Sequence, residues 1–92
     1  MSMAIASQLR QSATIEVLAS DPTIPDRKLT GTVHKHGSEI LTLLTEEEIA
    51  APAGVRVQTK DLLTLGKVLR CIPEPDMKWT VYVGVVRSML IV

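Results

Sequence analysis

Five sets of residues have types and spacings that bear on chemistry. Glu46, Glu47 and Glu48 stand in a row, as paired carboxylates for acid–base work would. Thr45 precedes them, however, and Thr45-x-x-Glu48 is a capping box, in which each side chain satisfies the other's backbone amide. Leu44 and Ile49 flank it as a hydrophobic staple, which explains the run without catalysis. His34 and His36 are two apart, on one face of a strand if the segment is extended. Two imidazoles begin a metal site, but a stable zinc site takes three or four ligands and Cys71 is the sole thiol. Cys71 sits between Arg70 and Ile72 in an apolar run, the setting of a small buried hydrophobe rather than a nucleophile. Ser12, Ser38 and Ser88 lie in no Gly-x-Ser-x-Gly elbow, and there is no Gly-rich phosphate loop. Arg56, Lys60, Lys67 and Arg70 would make a basic patch only if acidic residues left them free. The expectation is a protein that is not an enzyme, with no metal and no cofactor.

The bulk properties narrow the class further. Ninety-two residues make one domain, which buries only about 60–65% of the surface its unfolded chain exposes. Ten basic and ten acidic side chains cancel, so no electrostatic footprint for nucleic acid or an anionic membrane is present. Hydrophobic residues make up 46% of the chain, yet there is no Phe, one Trp and one Tyr. The core must be aliphatic, and no aromatic platform exists for stacking several bases. A single cysteine rules out a disulfide framework within the chain and fits a reducing compartment. Residues 1–10 lack a basic start followed by a long apolar stretch, as a secretory signal would have. The apolar stretch Val81–Val92 is interrupted by Arg87 and is too short to span a bilayer as a helix. These features predict a cytoplasmic protein. Zero net charge and the hydrophobic tail Met89-Leu-Ile-Val92 predict a homodimer through the last strand or the N-terminal segment.

The elements follow from the hydrophobic period. Residues 1–11 show no strand alternation and form an N-terminal segment; residues 12–92 form the domain. Ala13, Ile15, Val17 and Ala19 alternate with polar residues, which predicts a half-buried strand over 12–19. Prolines and aspartates make 20–26 a loop. Leu29, Gly31 and Val33 alternate with Thr30, Thr32, His34 and His36, predicting a strand over 28–36. Gly37-Ser38 turns the chain into a third strand over 39–44. The capping box predicts a short helix over 46–51, ended by Pro52. Further strands follow over 54–60, 62–72 and 77–86, with Pro73-Glu-Pro-Asp76 as a turn. Gly66 and Gly84 mark bulges or bends. Six strands with closely spaced turns predict an all-β closed barrel or sandwich with one short helix.

Leu29-Thr-Gly-Thr-Val33, Ala51-Pro-Ala-Gly-Val-Arg-Val57, Leu65-Gly-Lys-Val-Leu-Arg70 and Tyr82-Val-Gly-Val-Val86 come in an order that resembles the PilZ domain family over about residues 10–88. The resemblance implies a six-stranded antiparallel barrel and a role in bacterial signalling. Typical members bind cyclic di-GMP through an Arg-x-x-x-Arg segment and an Asp/Asn-x-Ser-x-x-Gly segment. Arg10 matches the second arginine, but Ala6 stands in place of the first. In Lys35-His-Gly-Ser-Glu-Ile40, Lys35 replaces the acid, Gly37 the serine and Ile40 the glycine. A shift of one residue puts Ser38 in the serine position, His36 in the acid position, and still no glycine in its place. Each lost charge-assisted bond removes roughly 1.5–3 kcal/mol. Several such losses take micromolar binding to about millimolar. The expectation is a PilZ-like interaction module with an unidentified protein partner and without the usual nucleotide binding. The alternative is a cyclic di-GMP sensor with altered contacts through Arg10, Lys35, His36 and Ser38.

Overall fold

A computed structural model describes residues 11–21 and 23–91. The architecture is a closed antiparallel barrel of six strands: β1 (Gln11–Leu18), β2 (Arg27–His36), β3 (Ile40–Thr45), β4 (Gly54–Gln58), β5 (Leu62–Glu74) and β6 (Lys78–Leu90). Around the barrel the order is β1-β2-β3-β6-β5-β4, and β4 closes back onto β1. All six pairings are antiparallel. The period-2 pattern produces this directly. Alternate side chains point inward, and Ala13, Ile15, Leu29, Val33, Leu41, Leu43, Val55, Val57, Val68, Val81 and Val83 form one aliphatic core. β-Branched residues dominate it because they pack well on a pleated surface.

The segment that follows β3 departs from its local signal. No helix forms over 46–51. Thr45 stays in the ladder, opposite Gly31 and Trp79, and its Oγ1 donates to the Glu47 carbonyl at 2.8 Å instead of accepting from Glu48. The Glu48 carbonyl accepts from Arg27 Nη2 at 2.8 Å. A turn over Ala50–Ala53, closed by Ala53 N–H to the Ala50 carbonyl at 3.0 Å and containing a cis Ala51–Pro52 bond, then enters β4. Tertiary packing explains the outcome. Ile49 is 0% exposed and belongs to the core, so it closes one end of the barrel. About one and a half turns of helix would gain too few hydrogen bonds to offset nucleation, whereas burying an isoleucine contributes about 1.5–3 kcal/mol.

The longest pair, β5 and β6, also differs from expectation at both ends. β5 runs to Glu74, where Pro75–Met77 form a single 3-10 turn into β6. β6 continues past Val86 to Leu90, with Arg87–Leu90 opposite Leu65–Leu62. Register shifts between Leu65 and Gly66 and between Val68 and Arg70 mark bulges. Gly66 is required at the first: a Cβ there would overlap the Gly84 carbonyl oxygen and meet Val83 Cγ1 at 2.7 Å. In the β1–β2 loop, Thr23 donates to Asp21 through its amide at 2.9 Å and its hydroxyl at 2.8 Å. Those bonds hold the Asp21 carboxyl below its ordinary value, the backbone bond first. Any stabilisation this gives is present above the unfolded pKa and is lost as pH falls through the folded one.

Gly66→Ala tests the close approach of β5 and β6. The added methyl has no space between two backbones, and the expected destabilisation is about 3 kcal/mol in urea unfolding. A change under about 0.5 kcal/mol would show that the two strands are free to separate at this point.

Candidate functional site

Among the described residues, three concave surfaces on the barrel bear on function. The first, about 610 Å³, crosses the outer faces of β4, β1, β2 and β3 and is lined by hydroxyl-bearing side chains. Ser12 pairs with Thr32 and Thr14 with Thr30, so hydroxyls face outward side by side, with Gln58 beyond them and Lys60 and Lys78 on the rim. The second, about 780 Å³, lies over β2, β3 and β6 beneath the tip of the β5–β6 hairpin. It brings His34, Glu74, Asp76, Lys78 and Tyr82 to one groove and shares Thr32, Leu44 and Lys78 with the first. The third, about 250 Å³, is the barrel mouth at the end opposite Ile49, lined by Val33, Leu41, Val57 and Leu62 with Gln11, His36 and Asp61.

Several polar groups around these surfaces have partners within the fold. Lys78 Nζ lies 3.4 Å from Glu46 Oε2, and Thr80 Oγ1 donates to Glu74 Oε2 at 2.9 Å. Thr64 and Ser88 hydroxyls are 3.2 Å apart. Among the described residues no buried side-chain nitrogen or oxygen lacks a hydrogen-bond partner. None is therefore held out of water awaiting a ligand, the arrangement a preorganised polar site would show.

The residues singled out in the sequence are dispersed. Arg10 lies outside the described residues. Lys35 is exposed near the end of β2, and Ser38 is exposed in the turn where Gly37 N–H donates to the Ile40 carbonyl at 2.9 Å. Neither lines any of the three surfaces. His36 alone lines one, the mouth, where Gln11 also sits. His34 and His36 do not share a face. The register between β2 and β3 shifts between Val33 and Lys35, so His34 is the extra residue of a bulge. It lines the hairpin groove while His36 lines the mouth. No group of three or more His, Cys, Asp or Glu side chains is placed to hold a metal among the described residues.

The four basic residues do not converge on one groove: Lys67 is exposed on β5 opposite Gly54, outside the three surfaces. Arg56 Nη1 bonds Glu16 Oε1 at 2.8 Å, Arg70 stacks over the Tyr82 ring at 5.4 Å, and Lys60 lines the hydroxyl groove. Cys71 is half-buried and packs against the core. What sequence reading missed is the hairpin groove. His34 and Tyr82 meet Glu74, Asp76 and Lys78 only because the hairpin turn overhangs β3, and no local pattern encodes that overhang.

Comparison with protein-family models, curated proteins and solved structures finds no match to this chain. No helix among the described residues is long and apolar enough to cross a membrane.

The separation of the two histidines has a measurable outcome. Zinc affinity, read by competition with a chromophoric chelator, should be the same in the wild type, His34→Ala and His36→Ala. A tenfold loss in both variants would mean that the imidazoles act together, against the bulge.

Proposed function

We propose that the chain is a non-catalytic, cytoplasmic bacterial signalling module of the PilZ type that works by binding protein and has lost the family's usual cyclic di-GMP binding. The observation that carries this reading is the dispersal of the motif positions. Lys35 is exposed near the end of β2 and Ser38 in the turn after it, and neither lines any of the three concave surfaces described above. A dinucleotide needs convergent donors and acceptors, and arginine forks in particular, to hold its phosphates and guanine edges. Lys35 is a flexible point charge and does not replace a carboxylate that accepts from guanine. The closed barrel of six antiparallel strands agrees with the fold that the resemblance implies. Among the described residues, no constellation of nucleophile, base and oxyanion donors supports an enzyme.

One observation favours the sensor alternative. Gln11, the residue after Arg10, lines the barrel mouth together with His36. A ligand held at the mouth would have Gln11 and His36 within its compass. Isothermal titration with cyclic di-GMP separates the readings. The expected result is no binding tighter than about 100 µM. A low-micromolar isotherm that Arg10→Ala abolishes would overturn the proposal in favour of the sensor.

A further inference from the structure

Ten basic and ten acidic side chains cancel over the chain, but the fold separates them. From residue 54 to residue 90 the only side-chain carboxylates are Asp61, Glu74 and Asp76, all at or beside turns. Asp61 lines the mouth, and Glu74 and Asp76 line the hairpin groove. Between those ends, the wall made by β5 and β6 has cations and no carboxylate of its own. Burial fixes which of its residues face outward. Thr64, Gly66 and Val68 are buried, so Leu63, Leu65 and Lys67 point away from the core. The Ser88 hydroxyl lies 3.2 Å from that of Thr64, so Ser88 shares the inner face, and Arg87 and Met89 take the outer one. There Met89 opposes Leu63 and Arg87 opposes Leu65.

The outer wall is an apolar stripe edged by cations. Leu63, Leu65 and Met89 face outward yet are each half-buried. Leu69 extends the stripe: its side chain lies over Gly84, where an added Cβ would meet it at 3.2 Å, and it is 53% exposed. Ile40, opposite Gly84 on β3, is 46% exposed. Lys67, Arg70 and Arg87 are exposed along the same two strands. Among the described residues Lys67 and Arg87 have no ion-pair partner, and Arg70 rests on the Tyr82 ring, which leaves its charge uncompensated. On the neighbouring elements, Glu16 is bonded to Arg56 and Glu39 stands in the β2–β3 turn. None of the outward residues of the stripe or its cations lines the three concave surfaces described above.

We propose that this wall docks on an anionic phospholipid surface, with Leu69 and Ile40 meeting the headgroup–acyl boundary and Lys67, Arg70 and Arg87 meeting the phosphates. Three uncompensated cations complement a negatively charged bilayer, and each Lys or Arg near such a surface strengthens binding about fivefold. Apolar side chains beside them add burial, which a bilayer rewards and a nucleic acid backbone does not. A second copy of the chain would bring the same cations against themselves, which disfavours an isologous contact. A peptide helix lies in a groove; this wall supplies none, whereas a fluid bilayer moulds to a convex surface. The docking goes beyond the interaction-module reading and does not depend on it.

Co-sedimentation of the full chain with lipid vesicles tests it. The wild type should pellet with phosphatidylcholine vesicles containing roughly one-third phosphatidylglycerol, and not with phosphatidylcholine alone. Raising the salt from about 0.1 M to about 1 M shortens the Debye length from about 10 Å to about 3 Å and should weaken binding by more than about tenfold. Lys67→Glu and Arg87→Glu each change the wall by two charges and should each weaken binding about 30-fold. Lys28→Glu changes the net charge equally, but β2 stands opposite β5 in the ring of strands, and its binding should stay within about twofold of the wild type. Leu69→Ser should weaken binding about fivefold. All four variants should keep the wild-type circular dichroism spectrum, since the substituted side chains are exposed. A wild type that stays in the supernatant, that pellets equally with both vesicles, or that loses as much through Lys28→Glu as through Lys67→Glu would overturn the assignment. So would tighter binding to an amphipathic peptide helix with leucines on one face and glutamates on the other, which would give the wall to an acidic protein partner.

Discussion

The pairing of β1 with β4 turns a sheet into a barrel. Its ladder runs only from Thr14 opposite Gln58 to Leu18 opposite Gly54. Without it, β1 and β4 would each present a free edge, and Ile15 and Val57, which oppose one another in that ladder, would lose the closed wall around them. β4 is the shortest strand and is delivered by the turn at Ala50–Ala53, so the path of residues 46–53 determines whether closure occurs. That path follows from the burial of Ile49. One aliphatic side chain at the end of the barrel thus governs a connection whose own residues favour helix. This is tertiary context overriding a cap, the usual direction of such conflicts.

Closure also divides the surface into unequal parts. Where all six strands overlap, the outer faces carry threonines and the Arg56–Glu16 ion pair. Beyond the overlap one strand of the β5–β6 pair loses its outer neighbour at each end: Arg87–Leu90 run past β3, and Leu69–Glu74 run past β4. The exposed apolar residues Ile40, Val86, Leu90 and Ile91 gather around the mouth, at the end of the molecule where Gln11 begins β1. Ile24, Leu69 and Met77 are exposed elsewhere, in the β1–β2 loop and toward the β5–β6 turn, so apolar surface is present away from the mouth as well.

The strand pattern was legible because burial alternates along most of β1, β2 and β4. Ala13 and Ile15, Leu29 and Val33, and Val55 and Val57 declare their inward face by residue type alone. Three features were not legible, each for a physical reason. The end of β6 reads as a tail because Arg87 and Ser88 break the apolar run, yet both are in the ladder opposite Leu65 and Thr64. The bulge at His34 is invisible because nothing in Val33-His-Lys35 demands it; it arises from the fit of β2 onto β3. The Thr45–Glu48 box is a sound local signal that a buried neighbour outweighs. For the candidate site, the sequence located the motif positions but not their dispersal, since facing direction beyond a bulge depends on register.

Trp79 is the sole tryptophan, half-buried and packed against the core beside Thr45, near the end that Ile49 closes. The core itself contains no aromatic ring. Its indole emission therefore senses only one pole of the barrel. Loosening at the lip, around Leu62 and Leu90, would pass without a change in fluorescence, while displacement of Ile49 would alter the indole's surroundings at once. Optical melting curves of this chain read the plug, and amide exchange is the technique that reads the lip.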